Sequence, residues 1–276
     1  MKKSFERAQR RREEGHGYKH DLGQNFLYDD ALLEELVQST GVTKADSVLE
    51  IGPGSGMLTK HLCPHAGKVL AVEVDHDIIP FLKVNTAAFS NLEIVEGDIR
   101  KQNLRELCAP LGENFLVIAN IPYNITTPIF EALWESGLSI RQISVMIQKE
   151  VAEKLMAAPS TAAYGLMSVK CQYYCTPRLE CIVPAEKFTP PPKVDSAFVH
   201  LEMSRCRSAK VQNERRLFSL LRAGFNLRRK TLSNALRSVV EPDALRAAME
   251  QAEISPTARA EELSVDDWIR LSNACP

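Results

Sequence analysis

Nowhere does the 276-residue sequence approach the ~18 consecutive apolar residues that a membrane-spanning helix needs, so no span is expected. Its first residues lack the apolar stretch of a secretory signal, and Glu13-Glu14 are out of place in a transit peptide, so a cytoplasmic location is expected. The seven cysteines are odd in number and include no C-x-x-C pair. Cys171, Cys175 and Cys181 lie in strand-like runs with Tyr173 and Tyr174 and have no histidine at ligand spacing. Buried free thiols of a reducing compartment are therefore expected, with neither zinc nor disulfides. His61 and His65 are spaced to share a helix face, but no acid stands near them in the sequence, so no metal is expected there. Repeats and low-complexity tracts are missing too.

Net charge is also nearly absent, at −1 from 34 basic and 35 acidic residues, but the charges are segregated. Lys2, Lys3, Arg7, Arg10, Arg11, Arg12 and Lys19 crowd the N-terminus. A second basic stretch runs from Arg205 to Arg237 against one acid, Glu214, and the chain from Glu241 to Asp267 is mostly acidic. Taken alone, either basic stretch reads as a solvated helix face; beside a nucleotide pocket, contact with phosphates becomes the better reading. The stripe Leu217, Leu220, Leu221, Gly224 and Phe225 is spaced for helix packing and leaves Arg228, Arg229 and Lys230 to project near its end.

With 45% apolar residues the chain can bury one large domain and a small one. A helix pattern over Ala31–Thr40 precedes strand patterns ending near Ile51, Glu73, Val95 and Asn120, with another strand at Gln142–Ile147. This alternation predicts a doubly wound α/β sheet. Ser168–Cys175 and Ala197–Met203 read as two further strands, joined through an extended Pro190-Pro191-Pro192 loop. A composition shift near Ser204–Arg215 marks a boundary, beyond which the pattern is helical.

The run Ser47–Ile51 leads into Gly52-Pro53-Gly54-Ser55-Gly56 and then Met57–Leu62, which is strand, glycine turn and helix. Glycines let a ligand approach the main chain without meeting a Cβ. The next run ends in Glu73, twenty-one residues after Gly52, where a carboxylate accepts hydrogen bonds from ribose hydroxyls. A third run ends at Asp98, an acid able to bind an adenine amino group. The dinucleotide fingerprint G-x-G-x-x-G is not met, because Met57 stands in place of its third glycine, and no Gly-Lys-Ser/Thr follows to make a phosphate loop.

Asn120-Ile121-Pro122-Tyr123 closes the apolar run from Phe115. Alone, these residues also suit an ordinary Asx turn. At the tip of a buried strand they offer a carboxamide oxygen, the Ile121 carbonyl beside a proline with no N–H, and a flat ring. Two acceptors and one aromatic plane suit a planar heterocycle with an exocyclic amino group, and adenine fits.

The pattern Glu50-x-Gly52-x-Gly54-x-Gly56 resembles the first motif of S-adenosylmethionine-dependent methyltransferases. The chain as a whole, from about Lys19 to Leu236, resembles the small-subunit ribosomal RNA adenine N6,N6-dimethyltransferases. More distantly it resembles the large-subunit rRNA methyltransferases of macrolide resistance. The matching segments are Leu22–Leu27, Leu49–Gly56, Glu73, Glu96–Asp98, Asn120–Asn124, Gln148–Glu150, Ala163–Gly165, Phe188–Ser196 and Phe225–Leu236. Phe188–Ser196 and Phe225–Leu236 fit the small-subunit branch best. His20-Asp21 stand where that family often has a basic or small residue, which puts an acid near the expected RNA path.

The resemblance implies a Rossmann-like methyltransferase sheet with a small C-terminal helical domain. Its expected limits are a basic N-terminal arm (1–18), a catalytic domain (19–204) and a helical RNA-binding domain (205–276). It implies S-adenosylmethionine as cofactor, closed over by Asn25 and Leu27, approached by Gly52 and Gly54, held by Glu73 at the ribose and Asp98 at the adenine, and bordered by Asn120. Asn120 and the Ile121 carbonyl would hold the substrate amino group, with Tyr123 stacked on one face of the base and Phe188 on the other. The implied substrate is small-subunit rRNA in an immature small ribosomal subunit. Nothing calls for an obligate oligomer, so a monomer is expected. Two other readings stay open: a resistance-type methyltransferase acting on large-subunit rRNA, and an RNA-binding ribosome-assembly factor.

Overall fold

The computed structural model describes residues 24–204 and 207–276; the basic arm 1–18 expected from the sequence lies outside them. The chain begins with β1 (Phe26–Leu27), α1 (Asp30–Ser39), β2 (Ser47–Ile51), α2 (Thr59–His65), β3 (Lys68–Glu73) and α3 (Ile79–Asn85). It continues with β4 (Leu92–Glu96), α4 (Leu104–Cys108), β5 (Phe115–Asn120), α5 (Thr126–Glu135) and β6 (Ile140–Gln148). Next come α6 (Lys149–Met156), α7 (Leu166–Tyr174), β7 (Cys175–Val183), β8 (Phe188–Thr189) and β9 (Ser196–Met203). The last four helices are α8 (Glu214–Asn226), α9 (Leu232–Ala235), α10 (Pro242–Gln251) and α11 (Val265–Ala274). Among the described residues no helix is long and apolar enough to cross a membrane.

Two compact units emerge. The first takes the described residues up to Lys149 together with Arg178–Leu201; the second takes Glu150–Pro177 and Glu202–Pro276. The segment Glu150–Pro177 thus joins the helical unit, which places one of its limits upstream of the composition shift near Ser204. The reason is packing: Tyr164, Val169 and Tyr173 sit in the same core as Leu217, Leu221 and Trp268.

The first unit is built on a seven-stranded sheet of order β4-β3-β2-β5-β6-β9-β7. β2, β3, β4, β5 and β6 run parallel. The apolar residues of β2, β3, β5 and β6 are buried on both faces, as covered parallel strands require, whereas the edge strand β4 is only half-buried. From β2 the chain steps outward to β3 and β4, then returns to β5 on the other side of β2. Such a reversal opens a crevice at the carboxyl ends of the strands, where open α/β sheets bind ligands. Register keeps those ends level: Ile51 lies opposite Val72, and Glu73 opposite Glu96.

One expected strand is a helix. Ser168–Cys175 carries Val169, Tyr173 and Tyr174, side chains that favour strands. Yet Gly165 opens α7 there, and its N–H donates to the Ser168 hydroxyl at 3.0 Å. Val169 and Tyr173 then bury one helical face. The sheet strand is Cys175–Val183, masked in the sequence by Pro177. An edge strand tolerates proline, and β7 is the edge. Cys171 accordingly lies in a helix; Cys63, Cys108, Cys171, Cys175 and Cys275 are buried free thiols and Cys181 is half-buried.

In the second unit α8 buries Leu217, Phe218, Leu220, Leu221 and Gly224. A Cβ on Gly224 would stand 2.7 Å from Cη2 of Trp268, whose side chain is fully buried and has nowhere to retreat. Gly224→Ala is expected to cost about 1–3 kcal/mol of stability despite alanine's better helix propensity. A lowered urea midpoint would show it; an unchanged or raised midpoint would contradict this packing account.

Candidate active site

A cavity of about 230 Å³ opens at the carboxyl ends of β2, β3 and β5. Its floor is the glycine turn. Gly52 and Gly54 have φ of +66° and +59°, a region costly for residues with a Cβ. At Gly54 a Cβ would also come within 2.8 Å of the Phe26 ring. Asn85 Nδ2 donates to the Ser55 carbonyl at 2.8 Å and holds the turn from α3. A Cβ on Gly52 would touch Pro122 Cδ at 3.7 Å, so the turn after β2 and the tip of β5 abut.

Glu73 ends β3 with its carboxylate turned in. Gly54 N–H donates to Oε2 at 2.9 Å and Asp75 N–H to Oε1 at 2.8 Å. Burial nevertheless raises its pKa, outweighing those two bonds. Asp98 caps the short helical turn Ile99–Lys101. Arg100 donates to Asp98 Oδ1 from its N–H at 3.0 Å and from Nε at 2.9 Å, and to Oδ2 from Nη2 at 2.7 Å. The side-chain bonds from Arg100, with its backbone N–H and charge, hold the Asp98 carboxyl below its ordinary value.

Asn120 is half-buried at the tip of β5. Its Nδ2 donates to the Asn25 carbonyl at 3.1 Å, which leaves Oδ1 as the amide's acceptor. Ile121 is buried, and its N–H donates to the Met146 carbonyl at 3.2 Å, continuing the sheet. Pro122 accepts from Ile125 N–H at 3.2 Å, starting the turn Tyr123–Ile125 that puts the Tyr123 ring on the cavity wall. Thus Asn25, Leu27, Gly52, Gly54, Glu73, Asp98, Asn120, Ile121, Pro122 and Tyr123 all line one cavity.

Phe188 is not brought there. β8 pairs antiparallel with β1, Leu27 opposite Phe188, and the Phe188 ring is 2% exposed. The pairing turns it into the core with Val183 and Phe198. Other residues matter that motif reading passed over. Gln24 Nε2 donates to Asp75 Oδ2 at 2.8 Å, so Gln24–Leu27 is fastened across the cavity at Asp75, Asn120 and β8. Glu50 is 1% exposed, lines the cavity, and has no hydrogen-bond partner among the described residues for either carboxylate oxygen. The only signal for Gln24 and Glu50 was their place inside quoted motifs.

The two histidines do meet acids, supplied by α1. His61 Nδ1 lies 3.0 Å from Glu34 Oε2 and its Nε2 3.0 Å from Asp30 Oδ1; His65 Nε2 lies 2.7 Å from Glu34 Oε1. Hydrogen bonds from His61, Gln38 and His65 hold the Glu34 carboxyl down to about 2. The cluster ties α1 to α2; among the described residues no three such groups are placed to hold a metal ion.

A glycine turn, two strand-end acids and an amide-proline-tyrosine tip thus meet in one cavity. The sequence model of the family "Ribosomal RNA adenine dimethylase" matches residues 15–275. The chain belongs to that family. It is an enzyme, an rRNA adenine dimethyltransferase that uses S-adenosylmethionine. Its relatives include the ribosomal RNA small subunit methyltransferase A of Ligilactobacillus salivarius, 41% identical over 265 residues, 93% of this chain and 90% of that protein. The protein of that name from Lachnoclostridium phytofermentans is 39% identical over 263 residues, 93% of this chain and 91% of that protein. The crystal structure of a dimethyladenosine transferase from Plasmodium falciparum superimposes with a TM-score of 0.72 at 27% identity, covering 89% of this chain and 95% of that one. That of the 23S rRNA methyltransferase ErmE gives 0.68 at 25%, covering 91% and 99%.

The residues present suit the cofactor this family uses. Gly52 and Gly54 bring main chain to the cavity wall, Glu73 keeps acceptor capacity beyond its two N–H bonds, and Asp98 borders the same cavity.

Proposed function

We propose that this dimethyltransferase acts on adenines of small-subunit rRNA, two adjacent ones, within an immature small ribosomal subunit, working in the cytoplasm as a monomer. The observation that carries the reading is the orientation of Asn120, whose Nδ2 is committed to Asn25 so that Oδ1 accepts. The relatives in the small-subunit branch support the choice of subunit.

Glu73 and Asp98 would hold the cofactor, with Gly52 and Gly54 beneath it and Asn25 and Leu27 above. When bound, S-adenosylmethionine supplies a methyl group already activated on a sulfonium. The chain's task is then positioning and electrostatics. The N6 nitrogen of adenine is a poor nucleophile because its lone pair is delocalised into the ring. Asn120 Oδ1 and the Ile121 carbonyl accept its two N–H groups, make the nitrogen more tetrahedral and aim the lone pair. No strong base is required, since the amine sheds its proton after transfer. The base leaves its stack at a cost of a few kcal/mol, and the Tyr123 ring offsets part of this. Phe188 contributes by holding Leu27 in place.

Arg228 of the basic stretch pairs with Glu261 and donates to the Ala162 carbonyl, whereas Arg229, Lys230 and Arg237 stay exposed around α9. These three are the phosphate contacts we assign to the helical unit.

Arg100 competes for Asp98. Arg100→Ala keeps the backbone N–H on Oδ1 and frees Oδ2 for the cofactor's adenine. An exposed pair is worth up to ~1 kcal/mol, so cofactor is expected to bind about 2- to 5-fold more tightly by calorimetry. Weaker binding would mean that Arg100 orients Asp98 instead.

The deciding assay is labelled-methyl transfer to separated, undermethylated ribosomal subunits, followed by nucleoside analysis. N6,N6-dimethyladenosine in small-subunit RNA alone is expected. Label in the large subunit alone would overturn the choice of substrate, and binding to particles without transfer would favour an assembly role.

A further inference from the structure

The Phe188–Ser196 segment reaches the site through a residue other than its aromatic one. It is held at both ends: Phe188 pairs with Leu27, Asp195 Oδ1 accepts Ala185 N–H at 3.1 Å, and the Asp195 carbonyl accepts Lys149 N–H at 3.0 Å. Ser196 follows at once, opening β9 with none of its surface exposed. Its hydroxyl is hydrogen-bonded to the hydroxyl of Tyr123, seventy-three residues away in the chain.

Tyr123 lies on a single helical turn, and its ring borders an open cavity. On its cavity side the half-buried ring borders open space, so packing alone does not define its plane from that side. Its hydroxyl is the only polar handle by which the protein can fix the ring plane. Burial raises the pKa of that hydroxyl, with Ser196 opposing, so the phenol stays protonated and able to donate. Both partners are neutral, and the bond is short-range and directional; its effect is orientation.

We propose that Ser196 is a positioning residue, whose buried hydroxyl bonds Tyr123 Oη and sets the plane of the ring against which the target adenine stacks. The inference rests on the reading of Tyr123 as the stacking residue. It gives the proline-rich segment a share in the chemistry that does not pass through Phe188. β9 lies beside β6, and β6 beside β5, so the anchor and the Asn120 tip are carried by one rigid sheet.

The test is a double-variant cycle on the full chain with undermethylated small subunits. Ser196→Ala and Tyr123→Phe each remove the same bond from opposite sides. Each is expected to lower kcat about 3- to 10-fold, the effect of one neutral hydrogen bond, with cofactor Kd unchanged and a melting temperature lowered by a few degrees for the buried hydroxyl left unpartnered. The double variant should be no worse than either alone, because one interaction cannot be lost twice. Ser196→Thr, which keeps the hydroxyl, should recover turnover. Additive losses, or wild-type kcat in both single variants, would overturn the proposal. Should Ser196→Ala fail to fold, Tyr123→Phe alone decides, and unchanged kcat there is equally fatal. Tyr123→Ala separates the two claims: full turnover in that variant sinks the stacking reading itself.

Discussion

Asn120→Ala is expected to lower turnover by a factor of about 100 or more while cofactor affinity stays within about threefold of the parent. The loss is that of a preorganised acceptor on the reacting nitrogen, which mutagenesis at comparable positions values at ~2.7–4 kcal/mol. The side chain also ties the Asn25 carbonyl at 3.1 Å, so a modest effect on the overlying segment is included. Asn120→Asp offers a useful contrast, because a carboxylate keeps an acceptor but cannot donate to Asn25. Single-turnover methyl transfer measured beside equilibrium cofactor binding checks both. Equal losses in turnover and affinity would reassign Asn120 to the cofactor.

The second large effect concerns pH. Burial pushes the Glu50 carboxyl up to about 8, opposed by the Thr59 hydroxyl and reinforced by the Glu73 carboxylate. A raised folded-state value means that the folded chain keeps a proton the unfolded chain has released. The resulting stability is fully present below the ordinary value of 4.5 and is lost as pH rises through about 8. Glu50→Gln, which carries no titrating group, should match the parent at low pH and exceed it above pH ~8 by a few kcal/mol. His200 acts in the opposite direction. Burial and the Arg178 charge lower its pKa, with Glu180 opposing, and it sits 2.8 Å from Ser144 Oγ as a neutral ring. Its share of stability is lost as pH falls below 6.5, the value of an exposed imidazole. Comparing Glu50→Gln with the parent at each pH cancels the His200 contribution. Parallel melting curves from pH 5 to 9 would show that Glu50 is ionised throughout or solvated.

The sheet and the cavity were legible in the sequence because strands β2, β3, β4 and β5 are short, apolar-rich runs leading to chemically distinct residues. Gly52, Glu73, Asp98 and Asn120 each follow such a run, and parallel pairing brings those ends to one edge. What stayed hidden depends on distant pairing. The α7 helix borrows strand-favouring residues to fill the second core, and β7 carries a proline that only an edge position permits. Phe188 was expected at the site because the family resemblance implied it, yet its backbone pairing with Leu27 and its place in the core fix where the ring lies. The acids beside His61 and His65 come from α1, roughly thirty residues upstream, beyond any spacing rule.

The fastening of Gln24–Leu27 has a consequence for how the protein comes into being. Gln24 meets Asp75, Asn25 meets Asn120, Leu27 meets Phe188, and Tyr123 meets Ser196, so the site is sewn together by contacts remote along the chain. Each such closure carries a loop entropy that grows with separation, and topologies rich in them form slowly. During synthesis the parallel strands through β5 can pair before the later residues exist, but the pocket cannot. A chain that ends before Ser196 lacks β9 and leaves Tyr123 without its hydroxyl partner.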